Sequence, residues 1–155
     1  MLPKYHILSS LIFSTLILIL FPQIGFLNFL IIFFSGIFID IDHYLYYVYR
    51  KKDFSLKNAY NWFVETEKKY YKLPKNIRKK TYRAICWLHG LEIFILLFLL
   101  SLFSNIFLFI ILGFGFHRIL DDIYDYIKTG EIGHSLFYSY KLIKLKKLKH
   151  IEDIR

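Results

Sequence analysis

The sequence is poor in the residues that mark several common protein classes. Its 155 residues include one cysteine, three prolines and seven glycines. The lone cysteine, Cys86, cannot form an intramolecular disulfide, and the few prolines and glycines exclude a collagen-like or low-complexity chain. Acidic residues are also scarce, with 12 against 21 lysines and arginines, for a formal net charge of +9. Such an excess is compatible with binding of nucleic acid or with the cytoplasmic loops of a membrane protein. The distribution of the charges along the chain decides between the two.

Apolar residues make up 56% of the chain, more than in ordinary globular proteins. They are concentrated in four runs, at 7–21, 24–39, 84–103 and 106–120. Nearly every face of the first two runs is apolar, and nothing amphipathic is available to cover them as core helices of a soluble protein. No small-residue cleavage site follows the first run, so a cleaved signal peptide is not expected. We predict a single all-α, polytopic membrane domain with four transmembrane helices in two hairpins, over about 5–21, 24–42, 84–103 and 106–124.

The basic residues are distributed asymmetrically around these runs. Segment 44–83 contains 12 basic and 3 acidic residues, the tail 126–155 is also lysine-rich, and the two hairpin tips contain no lysine or arginine. This asymmetry predicts a multi-pass protein of the cytoplasmic (inner) cell membrane with both termini cytoplasmic. Ser55 is placed to cap a helix over 56–73, whose lysines and aromatic residues suit the headgroup layer of an anionic membrane. We therefore expect membrane lipids as partners and no nucleic acid, and the sequence leaves the oligomeric state undefined.

Histidines and carboxylates recur at one end of all four predicted spans. Charged side chains at membrane depth cost about 2.5–3.5 kcal/mol each on insertion scales, so they are candidates for function. Counted from the hairpin turns near Gln23 and Ser104, one group in each span lies 15 to 17 residues away, or roughly 22–26 Å along a helix. The four spans should therefore bring these groups to one level. The polar residues at these span ends are His6, Asp40, Asp42, His43, His89, Glu92, His117, Asp121, Asp122 and Asp125.

The spacing of these residues favours a metal site. His89 and Glu92 are three residues apart, and His117 and Asp121 are four apart, so each pair would share a face of a helix. Imidazole and carboxylate pairs on facing helices build metal sites in helical bundles. Mixed ligands of this kind suit zinc, manganese or iron better than calcium. We predict a divalent metal site, with zinc the favoured ion.

Three short motifs resemble the YdjM-like membrane-bound metal-dependent hydrolases. They are FIDIDH at 38–43, LHGLE at 88–92 and GFHRILD at 115–121, preceded by an early histidine, His6. The family is distantly similar to the all-α zinc phospholipase C and P1 nuclease group, which cleaves phosphoesters with zinc held by histidine and aspartate. The sequence departs from the family pattern at Ile39, at Gly90 and in lacking a further histidine upstream of His89, for which Glu92 is a candidate substitute. The resemblance implies metal ligands at His6, Asp40, His89, His117 and Asp121.

These observations together predict a membrane-embedded metal-dependent hydrolase that acts on a phosphoester, such as a phospholipid, at the cytoplasmic face. Glu92 and His43 are each candidates for a further ligand or for the general base, and Arg118 is a candidate for stabilising charge on the substrate. The alternatives are a divalent-metal transporter or channel, and a non-enzymatic metal-binding membrane protein. The pattern assigns no role to Asp42, Asp122, Asp125 and His134; it favours packing for Cys86 and a solvated position for His150.

Overall fold

The structure is a computed structural model in which residues 3–130 and 148–154 are described, and this part of the chain is mostly helical. The predicted all-α class is confirmed for the helical content of the described residues, which also include one pair of two-residue strands. Short 3-10 turns occupy Pro22–Ile24 and Ile151–Asp153. The α-helices are α1 (Pro3–Leu20), α2 (Gly25–Phe38), α3 (Ile41–Lys51), α4 (Leu56–Lys72), α5 (Lys75–Arg78), α6 (Leu91–Ser101) and α7 (Ile106–Thr129), and the strands are β1 (Thr81–Tyr82) and β2 (Lys149–His150).

Four of the helices form a bundle of two hairpins. The 3-10 turn Pro22–Ile24 joins α1 to α2, and residues 102–105 join α6 to α7. Helix α2 packs against both α1 and α7, and α6 packs against α7. A glycine permits the closest approach, because a Cβ atom on Gly113 of α7 would lie 2.5 Å from the carbonyl oxygen of Ile32 on α2. Small residues thus set the spacing of α2 and α7.

The bundle buries small and polar side chains and exposes large apolar ones. On α1 the buried residues are His6, Ser10 and Ser14. Within the described residues, two helical stretches, Pro3–Leu20 and Pro22–Lys51, are long and apolar enough to cross a membrane, and only 17% and 22% of their apolar windows are buried. Core helices and signal sequences can have the same length and composition, so the four predicted spans stay a prediction. Exposed apolar side chains include Leu8, Ile12, Leu16, Phe26, Leu27, Ile95, Phe98, Leu99, Leu112 and Ile119.

Two of the predicted spans are shorter as helices than their apolar runs. The predicted span 24–42 is divided by a turn at 39–40, and the predicted span 84–103 contains only the 11 residues of α6. Residues 84–90 are irregular, and Gly90 is extended just before α6 (φ −80°, ψ 151°). The backbone N–H of Leu88 donates to Asp42 Oδ2 (2.9 Å), which replaces a helical hydrogen bond. His89 therefore lies in a turn and not on a helix.

Helices α3 and α4 form a second packing unit. The predicted helix at 56–73 is confirmed to within one residue, and its cap is Ser55, whose Oγ accepts a hydrogen bond from the backbone N–H of Asn58 (3.3 Å). Trp62 of α4 is buried against Tyr47 of α3, and its Nε1–H donates to Glu152 (2.7 Å). This aromatic side chain of the basic helix therefore faces protein and not a headgroup layer.

The chain returns to this unit through β2. Strand β2 pairs in parallel with β1, with Thr81 opposite Lys149. His150 is buried and not solvated as expected: its Nε2–H donates to the carbonyl oxygen of Arg83 (2.8 Å), and its Nδ1 accepts from the N–H of Glu152 (3.2 Å). The lysine-rich pattern of the tail gave no sign of this strand pairing. His134, to which the sequence pattern assigned no role, lies outside the described residues.

Candidate metal centre

Four side chains from separate parts of the chain converge at one end of the bundle. Asp40 lies in the turn between α2 and α3, His89 lies in the turn before α6, and His117 and Asp121 lie on successive turns of α7. One potential ligand atom from each lies within 4.8 Å of the other three. We call these residues the four-residue cluster. All four are among the predicted ligands.

The separations within the cluster are those of ligands around one ion. His117 Nε2 lies 3.4 Å from Asp40 Oδ1 and 3.3 Å from Asp121 Oδ2. His89 Nε2 lies 3.6 Å and 3.7 Å from the same two oxygens. Tetrahedral zinc with bonds of about 2.0–2.2 Å separates its nitrogen and oxygen ligands by about 3.3–3.6 Å. A small contraction around an ion would complete the coordination.

Both histidines of the cluster are oriented by a partner on their second ring nitrogen. His117 Nδ1 donates to the carbonyl oxygen of Gly36 (2.8 Å), and His89 Nδ1 donates to Asp42 Oδ2 (3.2 Å). In the neutral imidazole, each bond places the proton on Nδ1 and leaves Nε2 as an acceptor directed at the cluster. Metal-binding histidines have this arrangement of outer partners. Asp42, which sequence reasoning left without a role, thus orients a ligand.

The buried nitrogens of the cluster need a partner. Among the described residues, Nε2 of His89 and Nε2 of His117 are buried and make no hydrogen bond. Leaving a buried polar atom unsatisfied costs about 1–3 kcal/mol. A divalent cation bound between these nitrogens and the two carboxylates would remove that cost, so the residues fit a metal. The structure thus supports a metal-binding group of buried histidines and aspartates, while the identity of the ion stays a prediction.

His6, a predicted ligand, lies against the cluster. Its ring stacks on that of His117, with the centroids 3.7 Å apart and the planes within 12°. Its Nε2 is 3.1 Å from Asp121 Oδ1, whereas the other oxygen of Asp121 faces the cluster histidines. His6 therefore contacts the cluster through both His117 and Asp121 and is not one of its four members.

The structure does not bring Glu92, predicted as a ligand or base, into either group of potential metal ligands found among the described residues. Glu92 lies in the first turn of α6, whereas His89 precedes the helix, so the assumed three-residue helical spacing does not apply. Arg118, predicted to stabilise substrate charge, donates through Nε to Asp122 Oδ2 (3.1 Å) and through Nη1 to the carbonyl oxygen of His89 (2.8 Å). Arg118 thereby holds the turn that carries His89.

His43, a candidate base or ligand, lies beside the cluster. Its Nδ1 is 2.9 Å from Asp42 Oδ1 and 3.3 Å from Asp40 Oδ1. Cys86 Sγ is 3.2 Å from His43 Nε2. Sequence reasoning assigned Cys86 to packing, and the only signal of this contact was its position three residues before His89.

Asp125 lies one turn beyond Asp121 on α7, outside the metal-ligand groups. It accepts a hydrogen bond from the hydroxyl of Tyr71, and Arg83 Nη2 is 4.0 Å from it. Burial raises the pKa of Tyr71 above its ordinary value, and the Asp125 carboxylate adds to the effect of burial while Arg83 opposes it. Asp125 thus ties α7 to α4.

Comparison with known proteins finds no match for this chain among family models, curated proteins or solved structures. The interpretation of the site therefore depends on its own geometry.

Proposed function

We propose that the protein is a membrane-embedded, metal-dependent hydrolase that cleaves a phosphoester, with a phospholipid as the favoured substrate class. The observation that carries the proposal is the ligand-like geometry of the four-residue cluster, with unsatisfied imidazole nitrogens 3.3–3.7 Å from two carboxylates. When bound, a divalent ion such as zinc supplies Lewis-acid chemistry, lowering the pKa of water and polarising a phosphoryl oxygen. The motif resemblance to the YdjM-like hydrolases favours the same class of reaction.

The membrane setting is supported by the polarity of the bundle. Leucines, isoleucines and phenylalanines cover its outside, while serine, glycine and histidine lie between the helices. A soluble bundle would lose the hydrophobic stabilisation that comes from burying those side chains. Helix α6 is only about 16 Å long. The irregular segment 84–90 continues it, and irregular backbone is tolerated at membrane depth where it is buried in protein or lines a polar cavity.

In this proposal, residues around the cluster hold the candidate ligands in position, and the exposed side of the site is where a substrate enters. Asp42 and the Gly36 carbonyl hold the ligand imidazoles in place, and Arg118 fixes the turn that carries His89. Access is from the side of Asp40 and the neighbouring His43, whose side chains are 23% and 30% exposed. The other three members of the cluster, His89, His117 and Asp121, are buried. A phosphoester at headgroup depth would approach that side, in a protein whose net charge of +9 attracts anionic lipid.

The first test is metal content by mass spectrometry of the full chain purified in detergent. His117→Ala should lose the metal, because it removes a buried ligand. His150→Ala is a matched control, since His150 is also buried with one ring nitrogen 2.8 Å from a backbone carbonyl oxygen, and it should keep the metal. Absence of stoichiometric zinc, manganese or iron from the wild type, or equal content in all three proteins, would overturn the metal centre.

The second test separates hydrolysis from transport. The metal-loaded protein in mixed micelles should cleave a phosphodiester chromogenic substrate or an anionic phospholipid, and His117→Ala should not. Metal accumulation in proteoliposomes without hydrolysis would favour the transporter instead. Retention in the membrane pellet after an alkaline carbonate wash tests the membrane setting, and release into the supernatant would contradict it.

A further inference from the structure

A second group of potential ligand atoms adjoins the four-residue cluster. Asp42, His43, Cys86 and His89 each bring one such atom within 4.8 Å of the other three. His89 is already engaged at both ring nitrogens, with Nδ1 on Asp42 and Nε2 facing the cluster. We infer that Asp42, His43 and the thiolate of Cys86 hold a second divalent metal ion, on the accessible side of the first. This inference rests on the proposed function, because the two ions would form one hydrolytic centre.

Asp42 and Asp40 connect the two groups. One oxygen of Asp42, Oδ2, orients His89 of the first group, and the other, Oδ1, is 2.9 Å from His43 Nδ1. Asp40 Oδ1 lies 3.4 Å from His117 Nε2 and 3.3 Å from His43 Nδ1, between the two positions. Carboxylates placed in this way can serve two neighbouring ions, as in hydrolytic centres with two metals about 3.5–4 Å apart.

The position of the thiol is poorly explained by a hydrogen bond to His43. Cys86 Sγ is 3.2 Å from Nε2 and 3.6 Å from Nδ1. A thiol in line with one ring nitrogen would lie much farther from the other, so the sulfur is aligned with neither. A rotation of the ring about its Cβ–Cγ bond would direct a nitrogen and the thiolate at one ion, and the His43 side chain is 30% exposed.

The charges of the site also favour two ions. Asp40, Asp42 and Asp121 carry three negative charges, which exceed the charge of one divalent ion. With the Cys86 thiolate the total is four, which two divalent ions neutralise. Thiolate, imidazole and carboxylate ligands together suit zinc. The competing explanation, a protonated His43 beside Asp42, requires neither the thiolate nor a second ion.

The test measures zinc stoichiometry and uses the fact that the chain has a single cysteine. The wild type should carry two equivalents and Cys86→Ser one, while His150→Ala should keep both. The accessible ion should leave first when a chelator is added, because His43 is 30% exposed while His117 is fully buried. One equivalent in both wild type and Cys86→Ser would overturn the second site and leave the proposed function standing.

Cobalt and alkylation report on the thiolate directly. Cobalt-loaded wild type should show a thiolate-to-cobalt charge-transfer band that Cys86→Ser lacks. Zinc should slow alkylation of Cys86 in the wild type, and a chelator should restore the rate. Alkylation at one rate with and without zinc would overturn the inference, even where the variant fails to fold. A wild type that binds one equivalent of zinc and leaves Cys86 as reactive as in the metal-free protein would refute this inference alone, and a wild type without metal would refute both proposals.

Discussion

Replacing Gly113 by alanine should separate α7 from α2 and weaken the metal centre. A Cβ atom at Gly113 would lie 2.5 Å from the carbonyl oxygen of Ile32 and 2.9 Å from the amide nitrogen of Gly36. Both are backbone atoms of α2, so no side-chain rotation relieves the contact. A normal carbon–oxygen contact is about 3.3 Å or more, so the helices must separate by about 0.8 Å.

That separation reaches the metal centre because His117 lies one turn further along α7. Its Nδ1–H bond to Gly36, now 2.8 Å, would lengthen to about 3.6 Å, beyond hydrogen-bond range. Its Nε2 would also move away from Asp40, on the α2 side of the cluster. Losing the outer partner of a ligand lowers metal affinity by about 10–100-fold. Overpacking in a well-packed interior costs about 1–3 kcal/mol of stability.

Gly115→Ala is the matched control, two residues away on the same helix. A Cβ atom there would meet Phe94 at 3.9 Å, an ordinary contact. Both substitutions gain the same helix propensity, about 1 kcal/mol, so the difference between them isolates the contact with α2. Thermal unfolding in detergent and zinc competition against a chelator measure the two effects. Equal melting temperatures and equal zinc affinities for Gly113→Ala and Gly115→Ala would refute this reasoning.

Three further predictions concern other contacts. Tyr71→Phe removes a donor to buried Asp125 and should cost about 1–3 kcal/mol of stability by thermal unfolding, whereas Tyr60→Phe, at an exposed tyrosine, should cost little. Although burial opposes it, hydrogen bonds from a lysine, a tryptophan and an arginine lower the pKa of Glu152 from 4.5 to about 2. Docking of β2 should therefore be strong above about pH 4.5 and weaken toward pH 2, and Glu152→Gln should flatten this dependence in amide hydrogen exchange. Glu92→Gln should keep its metal by mass spectrometry, because Glu92 is in neither ligand group; loss of an equivalent would restore it as a ligand.

Local signals predicted the helices well. The Ser55 cap and the spans predicted from the apolar runs mark α4, α1, α2 and α7 to within about five residues, whereas α6 begins seven residues after the start of its apolar run. Counting depth from the hairpin turns predicted that His6, Asp40, His89 and Asp121 would lie at one level, because the rise per residue of a helix is fixed. The four-residue spacing of His117 and Asp121 predicted that His117 would share the face of Asp121. The structure brings Asp40, His89, His117 and Asp121 together, with His6 beside them, even though His89 lies off the helix, since only Gly90 separates His89 from the start of α6.

Long-range hydrogen bonds produced what the sequence did not predict. The irregular segment before α6 depends on a bond from Leu88 to Asp42, 46 residues earlier, and no proline marks it. The prediction that His89 and Glu92 share one face of a helix was wrong, because α6 begins after His89. His150 appeared solvated because its neighbours are lysines, and only pairing with β1 buries it. Such contacts join segments that are far apart in the sequence and share no periodic pattern, so they cannot be predicted from local sequence patterns.

The candidate metal centre lies where two helical regions are interrupted, and residues of the site hydrogen-bond to the backbone groups that these interruptions leave without helical partners. The turn after α2 takes the amide of Asp40 to the Ile37 carbonyl, so the Gly36 carbonyl loses its usual helical donor and accepts from His117 instead. The turn before α6 leaves the Leu88 N–H and the His89 carbonyl without helical partners, and Asp42 and Arg118 satisfy them. The residues that orient the candidate ligands thus also satisfy these backbone groups. Each such group, if buried without a hydrogen-bond partner, would lower the stability of the fold by about 1–3 kcal/mol. Substitutions at Asp42 or Arg118 should therefore lower stability and metal affinity together, because one set of hydrogen bonds supports both.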